Sequence, residues 1–217
     1  MAHPDQLFGD KTYAQHGDDL VIRAIFHSLG IATPSYLDLG AHHPEQISNT
    51  KLFYDSGSRG INVEANPVLY KLFLKHRPQD INLNVGVGIK SGFQDFYMID
   101  EESGRNSFIK EVAEGFVVDY PEFSITNVMK LPVFTVEQIL HHRAIPDFLS
   151  IDIEGMDFAV LSSIDYKRYP FKVICVEVQP YSEEDIRTLM HNVGYYSLIK
   201  CGSNLIFVDK TLSHRVR

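Results

Sequence analysis

Acidic residues recur at or near the carboxyl ends of short apolar runs in this sequence. Four runs carry such residues, which are Asp38, Glu64, Asp152 with Glu154, and Glu177. A carboxylate inside an apolar strand is costly unless it is paired, hydrogen-bonded or used by a ligand. Ligands of an open α/β sheet bind at the carboxyl ends of its strands. The pattern therefore predicts one ligand site along that edge, although each acid taken alone could instead cap a helix or pair with an arginine.

Asp152 and Glu154 are two residues apart, so their side chains share a face of one strand, and Glu177 is expected on the neighbouring strand. An oxygen cluster of this kind suits Mg²⁺ or Mn²⁺, or it supplies a general base that takes a proton from a hydroxyl group. The alternative is a hydrogen-bonding framework for the loops. We predict Asp152 as catalytic base or metal ligand, supported by Glu154 and Glu177.

The loop after the first of these runs indicates which ligand the edge binds. It reads Gly-Ala-His-His-Pro over residues 40–44, and it lacks the G-x-G-x-x-G pattern that brings backbone close to a pyrophosphate. Glu64 ends the second run, where an acid can accept hydrogen bonds from both hydroxyls of a ribose. A nucleoside with positive charge and no phosphate fits these residues, and S-adenosylmethionine is such a molecule. A nucleotide-dependent oxidoreductase is the alternative, against which the missing glycine pattern weighs.

The elements that must position these residues alternate between strands and helices. Five apolar runs predict strands at residues 35–40, 60–65, 81–88, 147–153 and 172–178. Cap residues predict helices that begin at Asp18, Ser48, Asn66, Thr135 and Ser182. This alternation predicts a doubly wound, Rossmann-like α/β fold with a mostly parallel sheet. A hairpin signal at residues 195–208 predicts that an antiparallel strand closes the sheet at its C-terminal end.

The stretch from residue 89 to residue 146 is long for a single crossover between parallel strands. We interpret it as an insertion with one or two extra strands that covers the site, within a single domain that comprises residues 1–217. Arg105 and Asn106 in its polar loop are candidate substrate contacts, with a solvated loop as the alternative.

Composition limits the partners and the compartment. The 217 residues carry a formal net charge of −8, which argues against a nucleic-acid partner but permits a small cationic ligand. No run approaches the length of a membrane span, and residues 1–10 lack a leader pattern, so we expect no membrane insertion. Cys175 and Cys201 lie in strand-like contexts without metal-type spacing, and a cytoplasmic location is expected.

The ordered set of motifs resembles the FkbM-type methyltransferases. The matching segments are residues 13–18, 38–44, 48–50, 60–67 and 151–155, and the resemblance extends from about Tyr13 to Val208. It implies a class I S-adenosylmethionine-dependent methyltransferase, and specifically an O-methyltransferase that acts on a hydroxyl of a sugar, glycan or related small metabolite. A non-catalytic binding module on the same fold is the remaining alternative.

The resemblance also implies roles for individual residues. Gly40 would let backbone approach the methionyl part of the cofactor, Glu64 would hold the ribose, and Asp38 would orient the amino group or the sulfonium. Gln15 would contact the methionine end or serve only as a helix-entry turn. The remaining assignments are Asn66 as a cofactor-binding residue and Gly86 near the adenine. His42 is assigned from its position: its loop is expected to face the cofactor, which predicts a substrate contact or catalytic base, with a surface histidine as the alternative.

Overall fold

The computed structural model describes residues 12–100, 103–179 and 181–216. The helices are α1 Asp18–Leu29, α2 Lys51–Asp55, α3 Pro67–His76, α4 Lys110–Asp119, α5 Val136–Ile139, α6 Asp157–Ser163 and α7 Glu183–Asn192, and a short 3-10 helix spans Ser213–Arg215. The strands are β1 Tyr36–Leu39, β2 Gly60–Val63, β3 Ile81–Leu83, β4 Gly86–Val87, β5 Gly92–Met98, β6 Asn127–Phe134, β7 Phe148–Ile151, β8 Val173–Glu177, β9 Tyr195–Cys201 and β10 Asn204–Asp209.

Seven strands form the large sheet in the order β3-β2-β1-β7-β8-β10-β9. Neighbouring strands from β3 to β8 are parallel, whereas β10 runs antiparallel to both β8 and β9. The predicted fold class, a mostly parallel doubly wound sheet closed by a C-terminal antiparallel hairpin strand, is confirmed. The strand order reverses between β1 and β7, and ligands of such sheets bind at the carboxyl side of this point.

Helices cover the large sheet on both faces. Leu37 and Leu39 of β1 pack in the apolar layer that includes α6 and α7, whereas Tyr36 packs in the layer that includes α1 and α2. Because successive strand residues point to opposite faces, Asp38 lies on the same face as Tyr36. Strands β1 and β7 are buried along their whole length, as expected for central strands covered on both sides.

A second, smaller sheet in the order β4-β6-β5 belongs mostly to the insertion. Residues 81–88, predicted as one strand, are two strands that belong to different sheets. Asn84 lies between them, and its Nδ2 donates to the carbonyl oxygens of Glu64 and Ala65, both at 2.8 Å. Since this side chain satisfies the carbonyls that follow β2, the chain can leave the large sheet there and pair with β6. Helix α4 was not predicted from the sequence.

Local capping explains several helix boundaries. Gly30 ends α1 in the left-handed conformation at φ 76°, and the Asn66 side chain accepts from the N–H of Val68 at the start of α3. Thr135 and Gln138 form a reciprocal capping box at α5. The helix predicted to begin at Ser48 begins instead at Lys51, and the Ser48 hydroxyl accepts from the N–H of Lys51 at 3.2 Å.

None of the helices in the described parts of the chain is long and apolar enough to cross a lipid bilayer. The N-terminal residues 1–10, to which the prediction about a leader applies, lie outside the described residues. Both cysteines are free thiols, with Cys175 buried and Cys201 partly buried.

Candidate functional site

Two adjoining cavities open at the carboxyl edge of the large sheet, beside the reversal point between β1 and β7. The first has a volume of about 510 Å³ and is called the apolar cavity, since Val63, Leu69, Val85, Val87, Phe96 and Phe108 contribute to its lining. The second has a volume of about 770 Å³ and is called the acidic cavity, because Asp38, Asp152, Glu154 and Glu177 contribute to its lining. Both cavities share a wall that consists of Gly40, His42, Gly104, Asp152 and Glu154.

The structure brings nearly all of the predicted site residues to these cavities. Glu64 and Gly86 line the apolar cavity, whereas Gln15, Asp38 and Glu177 line the acidic cavity. The remaining predicted residues that line a cavity belong to the shared wall and are Gly40, His42, Asp152 and Glu154. Asn66 is the predicted residue that lines neither.

Glu64 is held by backbone amides on both of its oxygens. Its Oε2 accepts from the N–H of His42 and its Oε1 accepts from the N–H of Asn66, both at 2.7 Å. Burial raises the pKa of Glu64 to about 7, although the two amide hydrogen bonds act in the opposite direction. A carboxylate has about four acceptor positions, so Glu64 can accept two further hydrogen bonds.

Asn66 contacts Glu64 and does not line either cavity. Its side chain is 1% exposed and caps α3, so the contribution that it makes towards the cavity is the backbone N–H that orients Glu64.

Two aromatic residues of the insertion wall the apolar cavity. A Cβ on Gly86 would lie 2.3 Å from Cζ of Phe108, so only a glycine in β4 lets this ring lie across the strand. The rings of Phe108 and Phe96 have their centroids 4.7 Å apart. Neither residue was predicted as part of the site from the sequence. Both are aromatic residues in a segment expected to cover the site, and this could have indicated them.

Three carboxylates meet in the acidic cavity. Asp152, Glu154 and Glu177 each offer an oxygen, and these oxygens lie within 4.8 Å of one another. Register explains the contact, because Ile151 of β7 pairs with Val176 of β8, and the two acids are the next residues along the strands. Oδ1 of Asp152 is buried and has no hydrogen-bond partner among the described residues.

Mutual repulsion and burial act together on these acids. Burial raises the pKa of Asp152 well above its ordinary range, and the charges of Glu177 and Glu154 raise it further. Burial also raises the pKa of Glu154 to about 7, while Arg105 acts in the opposite direction. Nη1 of Arg105 lies 3.3 Å from Oε1 of Glu154, so one guanidinium offsets part of the cluster's negative charge.

The turn between β7 and α6 holds Glu154 in an uncommon backbone conformation. Its φ is 51°, a left-handed value that non-glycine residues rarely adopt. Asp157 fixes this turn, because its two carboxylate oxygens accept from the N–H groups of Ile153 at 3.0 Å and Gly155 at 3.2 Å. The Ser107 hydroxyl donates to the carbonyl oxygen of Glu154 at 3.0 Å and ties the turn to the insertion.

Gly40 brings the loop after β1 into contact with the loop after β7. Its φ is 74°, and a Cβ at this position would lie 1.8 Å from the carbonyl oxygen of Asp152. Any side chain at residue 40 would therefore displace the backbone that carries the carboxylate cluster.

His42 lies where the two cavities meet. Its backbone adopts φ 53°, and its Nδ1 is buried without a hydrogen-bond partner among the described residues. Burial lowers the pKa of His42, and the neighbouring His43 lowers it further, so the ring is neutral at neutral pH. A Cβ on Gly104 would lie 3.6 Å from the His42 ring, which shows how closely the inserted loop packs against it.

The inserted loop is only partly solvated. Asn106 is 8% exposed, and its Oδ1 accepts from the N–H of Ile99 at 2.8 Å, so it orders the loop instead of facing solvent. The Arg105 side chain is 49% exposed and lines the acidic cavity.

The chain is similar to solved structures of methyltransferases. One of these is the crystal structure of methyltransferase FkbM from Methylobacillus flagellatus, to which this chain is 11% identical with a TM-score of 0.49. The alignment covers 82% of this chain and 44% of that chain, so this chain spans less than half the length of that protein. A TehB-like SAM-dependent methyltransferase from Corynebacterium glutamicum is 10% identical at a TM-score of 0.47, with 93% of this chain and 90% of that chain covered. No curated protein matches the chain significantly.

The sequence matches the family described as the methyltransferase FkbM domain over residues 38–196. This match covers more than two thirds of the chain and all of the shared wall. The match begins at Asp38 and includes the carboxylates of both cavities. The protein therefore belongs to the FkbM methyltransferase family.

Proposed function

We propose that this protein is an S-adenosylmethionine-dependent O-methyltransferase that transfers a methyl group to a hydroxyl of a sugar, glycan or related metabolite. The observation that carries the proposal is the junction of two chemically different cavities at His42, Asp152 and Glu154. Methyl transfer requires a donor and an acceptor held in line, and two cavities with a shared wall provide such an arrangement. Membership of the FkbM family supports the class of reaction.

The apolar cavity fits the nucleoside part of S-adenosylmethionine. Glu64 has acceptor capacity for the two ribose hydroxyls, and Phe96 and Phe108 offer aromatic surface to a flat base. Asp38 and Gln15 line the acidic cavity, where a carboxylate suits the ammonium and sulfonium groups at the methionyl end of the cofactor. When bound, S-adenosylmethionine supplies a methyl group activated by the sulfonium charge.

Asp152 is the residue we assign to the proton of the acceptor hydroxyl. Its raised pKa makes it a stronger base than an exposed aspartate, and it lines both cavities. Glu154 and Glu177 support it, because their negative charges raise the pKa of Asp152 further. His42 is the second candidate for the base, because its neutral ring and unpaired Nδ1 lie in the shared wall.

The same three carboxylates also fit a divalent cation. Mg²⁺ and Mn²⁺ prefer oxygen ligands, and the unpaired Oδ1 of Asp152 is an oxygen of that kind. Asp152, Glu154 and Glu177 would hold the ion, which would orient the acceptor and lower the pKa of its hydroxyl. Arg105 already offsets part of the negative charge at Glu154, and this favours the base over the metal.

The lining of the acidic cavity supports a polyhydroxyl acceptor. Apart from its carboxylates, the hydrogen-bonding side chains that line it are Gln15, His42, Asn49, Arg105 and Ser150. Such groups donate and accept hydrogen bonds with sugar hydroxyls, whereas an apolar acceptor would leave them unpaired.

Calorimetry with S-adenosylmethionine tests the cofactor assignment. We expect wild-type binding and at least a roughly tenfold loss of affinity in Glu64→Ala, because two charge-assisted hydrogen bonds disappear. Glu122→Ala is the matched control, since Glu122 is exposed and lies outside both cavities. Absence of binding by the wild type, or equal affinity in Glu64→Ala, would overturn the assignment.

Turnover with labelled S-adenosylmethionine on a panel of sugars, sugar nucleotides and glycans tests the reaction. We expect Asp152→Asn to lose about 10²–10⁴-fold in turnover while it still binds the cofactor. Activity that survives EDTA supports the general base, and activity that EDTA abolishes and Mn²⁺ restores identifies the metal site. Cofactor binding without turnover on any acceptor would identify a non-catalytic binding module.

A further inference from the structure

Among the described residues, Arg77 is the largest side chain that is completely buried. It follows α3, and each of its N–H groups faces an acceptor. Nε and Nη2 donate to the carbonyl oxygen of Pro44 at 2.9 and 2.6 Å, and Nη2 also donates to the Ser48 hydroxyl at 2.7 Å. Nη1 donates to Oγ1 of Thr50 at 2.7 Å and to Oδ1 of Asn62 at 3.4 Å.

All of these acceptors are uncharged, and within the described residues no carboxylate forms a direct ion pair with Arg77. A buried cation without a nearby anion would be strongly destabilising. Two carboxylates lie one side chain further away. Oγ1 of Thr50 donates to Oδ2 of Asp38 at 2.6 Å, and Nδ2 of Asn62 donates to Oδ2 of Asp80 at 3.0 Å.

The chemistry of the donors fixes the direction of the hydrogen bonds from Arg77 to Asp38. A guanidinium can only donate, so the Thr50 hydroxyl must accept from Arg77 and has its single proton left for Asp38. Oδ2 of Asp38 is therefore required to accept, as a carboxylate oxygen does. Burial raises the pKa of Asp38, and the Thr50 hydrogen bond together with the Arg77 charge acts against this rise.

We propose that Arg77 is a positioning residue that, through Thr50, holds Asp38 as an oriented carboxylate in the acidic cavity. Through Pro44 and Ser48 the same guanidinium also fixes the loop that carries His42. The inference rests on the proposed function, because Asp38 is the group assigned to the cationic end of S-adenosylmethionine. It adds a residue that lies outside both cavities and acts on the cofactor only through other residues.

The surroundings of Asp38 allow this role to be isolated by changing one hydroxyl. The groups that face Asp38 or interact with it electrostatically are Arg77, Thr50, Ser150, Cys175, Tyr36, Asp80 and Glu64. Among them Glu64 has a pKa of about 7, and it remains in place when only residue 50 is changed.

Calorimetry of S-adenosylmethionine binding by Thr50→Val and Thr50→Ser, from about pH 5.5 to about pH 8.5, tests the proposal. Serine keeps the hydroxyl, whereas valine has the same shape without it. We expect Thr50→Ser to bind within about twofold of the wild type. We expect Thr50→Val to bind at least about tenfold more weakly at neutral pH, with a deficit that shrinks as the pH rises and Asp38 ionises.

A purely structural role would lower the thermal stability of Thr50→Val without changing the pH dependence of binding. Equal affinities of the two variants, or a deficit that is the same at every pH, would overturn the proposal.

Carboxyl ¹³C NMR of the wild type, with Asp38→Asn used to assign the signal, gives a second readout that needs neither variant to bind. An Asp38 that is protonated at neutral pH would overturn the proposal. Failure of the wild type to bind S-adenosylmethionine contradicts the proposed function instead, and the NMR titration still decides the state of Asp38.

Discussion

At the scale of single residues, the Glu64 carboxyl group accepts hydrogen bonds from two backbone N–H groups and has a pKa of about 7. Protonation would turn one of its oxygens into a donor that faces amide N–H groups or ribose hydroxyls. We therefore expect the affinity for S-adenosylmethionine to decrease as the pH falls below about 7, by up to about tenfold per pH unit.

Titration calorimetry at about pH 6 and about pH 8 measures this dependence. Glu64→Gln should bind more weakly than the wild type at pH 8 and should show a smaller difference between the two pH values. Wild-type affinity that is the same at both would contradict the assigned role of the Glu64 carboxylate.

Substitution of Gly40 can separate two effects, which are the close contact of residue 40 with the Asp152 backbone and the left-handed conformation of residue 40 itself. Gly17 has nearly the same φ as Gly40, 77° against 74°, but a Cβ at Gly17 would meet nothing within 4 Å. We expect Gly17→Ala to cost about 1–2 kcal/mol from the left-handed conformation alone. Gly40→Ala should cost about 3 kcal/mol or more, because it also displaces the Asp152 carbonyl. Urea denaturation measures the difference, and similar losses in the two variants would show that the contact is easily relieved.

The sequence indicated the charged residues of the site better than its apolar walls. A carboxylate such as Asp152 inside an apolar strand is conspicuous, because its burial requires a reason that one strand cannot provide. Phe96 and Phe108 look like ordinary core residues in the sequence, and only the packing of the small sheet against Gly86 shows which cavity they line. The burial of Arg77 could not be predicted from the sequence either, because the groups that accept its hydrogen bonds belong to segments distant along the chain.

At the scale of elements, the turn between β7 and α6 depends on Asp157. Replacing this residue by Asn leaves one acceptor oxygen where the N–H groups of Ile153 and Gly155 need two. We expect Asp157→Asn to relax the left-handed Glu154 and to reduce turnover by about tenfold or more, with little change in cofactor affinity.

Asp165→Asn is the control for this turn. Oδ1 of Asp165 alone accepts from the N–H groups of Lys167 and Arg168 in an exposed loop, so asparagine can replace it. Steady-state kinetics and calorimetry on both variants give the comparison. Unchanged turnover in Asp157→Asn would show that the conformation of Glu154 is held by other contacts.

The strands of the large sheet could be predicted because each is a short apolar run between helix caps. The division of residues 81–88 could not, since Asn84 breaks the run through contacts with the end of another strand. Helix α4 contains Gly115 and one fully buried residue, Ala113, so its sequence carries little helical periodicity. Pairing of β4 with β6 is likewise a contact between distant segments, which local patterns do not encode.

At the scale of the whole molecule, acids with raised pKa values accumulate at one edge of the sheet. Burial raises the pKa of Glu64 and Glu154 to about 7 and that of Asp157 to about 6, and Asp152 is also raised. Such a group binds its proton more tightly in the folded than in the unfolded chain, so its contribution to stability is lost as the pH rises through its folded pKa. His42 acts in the opposite direction, since its lowered pKa reduces stability as the pH falls below about 6.5.

Burial raises the pKa of Asp38 at this edge as well. With these five carboxyl groups against one imidazole, we expect the ligand-free, chelator-treated protein to be more stable near pH 5 than near pH 8. Urea unfolding at the two pH values measures the free energy of unfolding directly. Glu154→Gln should reduce the difference. A free energy of unfolding that rises steadily from pH 5 to pH 8 would be inconsistent with these buried acids.

The wall that the two cavities share limits how the protein can be redesigned or can diverge. A change at Gly40, His42, Gly104, Asp152 or Glu154 alters the surface of both cavities at once. New acceptor preferences are therefore easier to reach through Ile47 and Asn49, which line the acidic cavity but not the apolar cavity. Ile47 is 57% exposed and has a left-handed φ of 49°, so glycine or asparagine there would widen the entrance and relieve backbone strain together. A library confined to these two positions would vary the lining of the acidic cavity and keep every residue of the shared wall.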